Sequence, residues 1–159
     1  MIIVSKLERK GVEKMEATLQ NKFNIRDTKR FYSDINDKAL NGIEVITYNA
    51  MGKVGEVSHL SKRIVDFLFD SLQFHITEDF DEELGVYTVS ADNINIYGEG
   101  STKAEATEDL LNSIMEYADI YVEQIDMFSK VEDITKQGYM LKVIRCSGDR
   151  EKLKKVLGL

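Results

Sequence analysis

Three groups of residues in this chain have types and spacings that could do chemistry. The first is Gly98-Glu99-Gly100-Ser101-Thr102-Lys103, where a strand-like run passes through two glycines toward a helix. Backbone N–H groups at such a junction can cradle a phosphate. A Walker-type loop, however, needs its lysine directly after the last glycine, and here Ser101 and Thr102 intervene. A dinucleotide fingerprint needs a third glycine, and Glu99, Glu105, Glu108 and Asp109 would repel an anion. Thr102 and Glu105 instead fit a T-x-x-E capping box, with the glycines letting the chain reverse between strand and helix. No nucleotide and no other cofactor is expected.

The second group is a row of acids. Glu105, Asp109, Asn112, Glu116, Asp119, Glu123 and Asp126 recur at 3-4 spacing, and no Lys or Arg occurs between Lys103 and Lys130. Like charges at i,i+4 cost a few tenths of a kcal/mol per pair, and acids late in a helix oppose its dipole. A row kept at that cost can attract a basic partner and speed encounter with it. Paired carboxylates can also hold a metal or act as acid and base. With no histidine and no convergent loop beside them, neither a metal site nor a catalytic residue is expected here. The third group, Arg26, Lys29 and Arg30, opens a helix, where positive side chains run against the dipole preference for acids. With Lys62 and Arg63 they are the candidates for neutralising phosphates of DNA. His59 and His75 sit among apolar residues without a partner at metal-ligand spacing, and Cys146 ends the apolar run YMLKVIRC. All three read as structural, and a single cysteine leaves no intramolecular disulfide.

The elements that must position these groups follow from periodicity. A helix is expected over Val4–Lys22, from Leu7, Val12, Met15 and Leu19, and a short strand at Phe23–Ile25. RDTKRFYSDINDKALNG reads as a helix ended by Asn41-Gly42. Ile43–Tyr48 and Val54–Leu60 read as strands around the turn AMGK, and SKRIVDFLFDSL as a helix capped by Ser61. FHITEDF and GVYTVSA form a hairpin about FDEELG, and INIYGEG is a third strand. A helix from Thr102 to about Phe128 carries the apolar stripe Ala104, Thr107, Leu111, Ile114, Ala118, Tyr121, Ile125 and Phe128, which packs on that sheet. YMLKVIRC reads as a fourth strand and GDREKLKKVL as a terminal helix.

The 159 residues suffice for one domain or two small ones. Composition is that of a soluble globular protein, no apolar run approaches the roughly 20 residues of a membrane span, and a cytoplasmic location is expected. The net charge of −7 is uneven: residues 1–70 hold 12 Lys/Arg against 10 Asp/Glu, and residues 71–159 hold 9 against 18. That split suggests two surfaces meeting two kinds of partner. Pattern and charge together place a domain boundary near residue 72.

FNIRDTKRFYSDINDKALNGIEVIT resembles the N-terminal half of the Phd/YefM antitoxins, with a short strand, an Arg-initiated helix, an N-G turn and a strand ending in Thr. GVYTVSADNINIYGEGSTKAEATEDLLNSIMEYADIYVE resembles the HicB-type antitoxin domain, in which G-x-(S/T)-x-x-E-A leads into the helix, here Gly100, Thr102, Glu105 and Ala106. The chain departs from these patterns in having Tyr48-Asn49 where Phd-like proteins commonly carry a basic pair, and in having no proline. The resemblance implies an α+β fold. A Phd/YefM-like DNA-binding and dimerisation unit over residues 1–72 precedes a HicB-like acidic β-β-β-α-β domain over 73–159. It also implies an antitoxin: a non-enzymatic, homodimeric repressor that binds operator DNA through Arg26, Lys29 and Arg30. The expected partner is a cognate toxin, a basic ribonuclease held by Glu105, Asp109, Glu116, Asp119, Glu123 and Asp126. Two other readings fit the sequence: a DNA-binding regulator with a small-molecule-sensing C-terminal domain and no toxin, and a nucleotide-dependent enzyme using the GEGSTK turn. Gene neighbourhood separates the first from an antitoxin, and a thermal-shift screen with nucleotides reveals the second.

Overall fold

A computed structural model describes residues 21–49, 51 and 55–159. The helix expected over 4–22 lies outside these residues except at its end, where Lys22 is the first residue of a strand. Most of the turn at 50–53 also lies outside them. The chain divides into two compact units, Met1–Leu68 and Phe69–Leu159.

In the first unit, β1 (Lys22–Asn24) runs parallel to β2 (Val45–Tyr48), which pairs antiparallel with β3 (Glu56–His59). Helix α1 (Ile25–Leu40) makes the crossover between the parallel strands. Its apolar period brings Ile35 and Ala39 down on Val45 and Thr47 to form the small core of this unit. Helix α2 (Lys62–Asp70) follows β3. Ser61 begins it differently from a side-chain cap. Its carbonyl accepts the Ile64 and Val65 N–H groups, while its buried Oγ has no hydrogen-bond partner among the described residues.

In the second unit, β4 (Ile76–Asp81), β5 (Val86–Ala91) and β6 (Ile96–Gly100) form an antiparallel meander. Alternation puts Tyr87, Val89 and Ala91 on one face with Ile76, Ile96 and Gly98, and α3 (Lys103–Glu123) lies across that face. Its Ala106, Leu110, Leu111 and Ile114 are fully buried, each larger side chain contributing about 1.5–3 kcal/mol of transfer free energy. Ala104 and Ile125, expected on the stripe, are exposed instead. The sheet meets the helix on a face rotated toward Ala106 and Leu110, because β6 offers glycines there.

Those glycines correct the reading of the GEG turn. Neither lies at positive φ. A Cβ at Gly98 would sit 2.0 Å from the Leu110 nitrogen and 2.5 Å from the Ala106 carbonyl oxygen, and one at Gly100 would sit 2.6 Å from the Ala106 nitrogen. They are glycines because the helix backbone rests directly on the strand.

Two further expectations are overturned. The long helix stops at Gln124 (φ −110°, ψ 29°), and a short α4 (Ile125–Val131) begins. The break turns Phe128 back so that its ring stacks on Tyr121 at 4.7 Å and meets Tyr117 edge-on at 5.7 Å. YMLKVIRC is not a strand. It belongs to helix α5 (Ile134–Ile144), whose cap Asp133 accepts the N–H groups of Thr135 and Lys136. Met140, Val143 and Cys146 all face the core, a helical period that a short apolar run conceals. The second sheet therefore has three strands, and the fold is α+β with six helices among the described residues. Helix α6 (Arg150–Leu157), capped by Asp149, closes the core with Leu153 and Leu157.

Candidate functional site

Helix α3 carries the acids at its exposed side, and its start is fixed by local chemistry. Thr102 Oγ1 accepts the Glu105 N–H at 3.2 Å. The reciprocal bond runs from Ser101, one residue earlier than a strict capping box, with its N–H 2.9 Å and its hydroxyl 2.5 Å from Glu105 Oε2. The Ser101 hydroxyl, and then its N–H, hold the Glu105 carboxyl below the ordinary carboxylate range. Asp109 accepts the Glu99 N–H at 2.9 Å, tying the helix to β6.

The sequence reading missed the cations that face this end of the row. Glu108 is gripped by Arg150, and by Lys154 at 3.1 Å. Lys154 and then Arg150 lower its carboxyl pKa. Arg150 also donates to Asn112 Oδ1 at 2.8 Å. These pairings span about forty residues of sequence, so no local spacing announces them. The signal that could have found them is the i, i+3, i+4, i+7 stripe Arg150, Leu153, Lys154 and Leu157, which sets both cations at the edge of the face that α6 buries.

Beyond Asn112 the row changes character. Glu116, Asp119 and Glu123, with Asp126 on α4, are all exposed, and among the described residues they have neither a hydrogen bond to their side chains nor an ion pair. The six expected toxin contacts are thus all at the surface but not equivalent: Glu105 and Asp109 are engaged within the unit, whereas the other four are unengaged.

In the first unit, Arg26, Lys29 and Arg30 are exposed on the opening turns of α1. The helix is capped by Asn24, whose Oδ1 accepts the Arg26 N–H at 3.1 Å. Arg30 lies over the Phe31 ring at 5.3 Å. Phe31 has non-helical angles (φ −109°, ψ 17°), so a kink separates the basic turns from the part of the helix that packs on the sheet. The hollow beside them mixes Lys22 and Lys38 with Asp27 and Asp34 and selects no charge. Tyr48, standing where a basic pair is common in Phd-like proteins, lies under the Lys22 ammonium at 5.5 Å.

The remaining candidates differ in their surroundings. His59 Nε2 is 3.0 Å from Thr47 Oγ1 across the sheet. His75 is exposed, its imidazole 3.9 Å from Asp92. Cys146 is buried at the end of α5, and burial pushes its thiol pKa up. Among the described residues no cluster of three or more His, Cys, Asp or Glu side chains is arranged to hold a metal, and no helix is long and apolar enough to cross a membrane.

Against known proteins, residues 19–158 match the model of a family described as PHD_like, antitoxin of toxin-antitoxin, RelE/RelB, TA system. No curated protein matches the chain. A crystal structure from Syntrophomonas wolfei subsp. wolfei, described as an antitoxin part of a proposed toxin/antitoxin system, superposes with a TM-score of 0.63 at 17% identity. It covers 85% of this chain and 94% of that one. At that identity the likeness speaks for the fold.

Proposed function

We infer the function from one premise: the chain belongs to the PHD_like family of toxin-antitoxin antitoxins. The second unit neutralises a cognate toxin of basic character, a ribonuclease, by laying the row Glu116–Asp119–Glu123–Asp126 on the cationic surface that such a toxin needs for RNA. The observation that carries this reading is the contrast within one helix. Arg150 and Lys154 compensate its first half, and no cation among the described residues compensates the second. Glu105 and Asp109 extend the contact at its edge. The three-stranded meander leading into a capped helix supports a HicB-like reading of this unit, with α5 in place of its fourth strand.

The first unit acts as a Phd/YefM-like repressor of its own operon, with Arg26, Lys29 and Arg30 on DNA phosphates. The apolar side chains of Tyr32, Leu40, Ile43, Val57 and Phe67, all exposed in this unit, support a homodimer. The protein acts in the cytoplasm and is not an enzyme.

Co-expression with the adjacent gene tests the first part. The neighbour alone should arrest growth, the pair should grow, and the two proteins should co-purify. A harmless neighbour, or one still toxic in the presence of this chain, contradicts the reading. A mobility-shift titration on the upstream region tests the second part. Replacing the three basic residues with alanine should weaken binding across sequences and reduce the salt slope by roughly 3, one unit per lost phosphate contact. An unchanged slope removes them from the DNA interface.

A further inference from the structure

Between α3, α5 and the turn that leads into α6 lies an open groove of about 200 Å³, floored by Met115, Ala118, Val122, Val143, Ile144 and Leu153. Val122 is 52% exposed although it is one of the few large apolar residues on its side of α3. Asp119 lines the same groove, and helical spacing places Glu116 and Glu123 one turn to either side of it. The cations nearby already have partners. Lys142 donates to the Leu72 carbonyl, Arg145 lies over the Phe69 ring at 5.1 Å, and Lys152 pairs with Asp149 at 3.1 Å. Asp149, on the far wall, is itself occupied in capping α6. The groove therefore pairs an apolar floor with one anionic bank.

We propose that this groove seats an apolar anchor side chain of a basic amphipathic helix from a protein partner, whose Lys and Arg residues rise over the Glu116–Asp119–Glu123 bank. Charge decides among the occupants. Nucleic acid and anionic lipid are repelled by the bank, and so is a second copy of this strongly acidic unit. The Cys146 thiol and the Asp149 carboxylate that line the groove are taken up by the Lys142 carbonyl and the α6 cap, which leaves little to orient a small molecule. What remains is a cationic, apolar segment, and a helix supplies both on adjacent stripes. Where that partner is the toxin, the inference rests on the antitoxin reading and sharpens it: recognition needs the anchor as well as the charge.

The test uses the full chain, isotope-labelled for NMR, and three synthetic 18-residue peptides: a Leu/Lys amphipathic helix, an Ala/Lys peptide of equal charge and a Leu/Glu counterpart. The Leu/Lys peptide should shift the signals of Met115, Ala118, Val122 and Val143, and the other two should bind at least tenfold more weakly. Ala118→Trp, which fills the groove, should weaken the Leu/Lys peptide about tenfold or more. Val122→Gln, at an exposed position that folding does not depend on, should weaken it severalfold with an unchanged melting temperature. Equal binding of the Ala/Lys peptide, shifts confined to another surface, no binding at all, or indifference to both substitutions each overturns the proposal. Growth rescue separates the two claims. Rescue without peptide binding retains the antitoxin and removes the groove, whereas peptide binding without rescue does the reverse.

Discussion

The two halves of α3 share a sequence character and differ in what surrounds them. In the first half Glu105 holds Ser101, Asp109 holds the β6 backbone, and Glu108 is gripped by two cations from α6. In the second half Glu116, Asp119 and Glu123 face outward beside an apolar groove. Glu and Asp on one helical 3-4 period thus do two jobs. One set fastens the helix to its own unit, and the other is left for something else. Spacing alone does not separate the two; the neighbours brought in by the fold do.

Substitutions can break or sharpen this contrast, and the largest effect belongs to the fastened half. Gly98→Ala would drive a methyl into the Leu110 backbone at 2.0 Å, and since backbone cannot yield as a side chain does, it should cost upward of about 3 kcal/mol. Urea denaturation measures this, and a loss below about 1 kcal/mol would show that helix and strand are not in such close contact. Next comes the cap. Thr102→Ala should cost about 1 kcal/mol, whereas the exposed Val122→Gln in the second half should stay within about 0.5 kcal/mol. Neutralising the outward acids should act in the opposite direction. Glu116→Gln with Asp119→Asn and Glu123→Gln relieves i,i+3 and i,i+4 repulsion and should raise the melting temperature slightly at low salt. A lowered one would mean that these acids are engaged after all.

The smallest effect is a pH dependence. The Glu108 carboxyl is held below its ordinary value by Lys154 and Arg150. Its contribution is fully present above the ordinary carboxyl range and is lost as pH falls through the depressed folded value. Glu108→Gln should therefore be slightly less stable at neutral pH and lose less stability on acidification than the parent, a difference that fades in high salt. Equal acid slopes for the two proteins would place no folding role on that pair.

Much of the fold is legible in the sequence because its elements announce themselves with local signals. Asn41-Gly42 stops α1, the alternation of FHITEDF and GVYTVSA makes the β4–β5 hairpin, and Thr102 starts α3. What escapes depends on distant neighbours. YMLKVIRC has the composition of a strand, and the packing of Met140, Val143 and Cys146 in the core, behind a start capped by Asp133, makes it helical instead. The break at Gln124 brings the Phe128 ring onto Tyr121, a contact that the helical period does not announce. The glycines of the GEG turn read as a chain reversal, and only the Leu110 backbone against Gly98 shows that they make room for the helix. The acids of the candidate site are visible as a row. The division of that row depends on Arg150 and Lys154, about forty residues away, and the groove depends on α5 being helical.

The central claim is that the outward half of the row carries the attraction to a cationic partner while the fastened half at most borders the contact, and one kinetic comparison tests it. Association of the chain with its cognate toxin, sought in the product of the adjacent gene, is followed by stopped flow at low and high salt. The parent is compared with Glu116→Gln/Asp119→Asn/Glu123→Gln and with Glu105→Gln/Asp109→Asn. The outward set should slow association roughly ten- to a hundredfold at low salt and flatten its salt dependence, while the fastened set should change it less than about threefold. Equal effects of the two sets, or none from the outward one, would contradict the account.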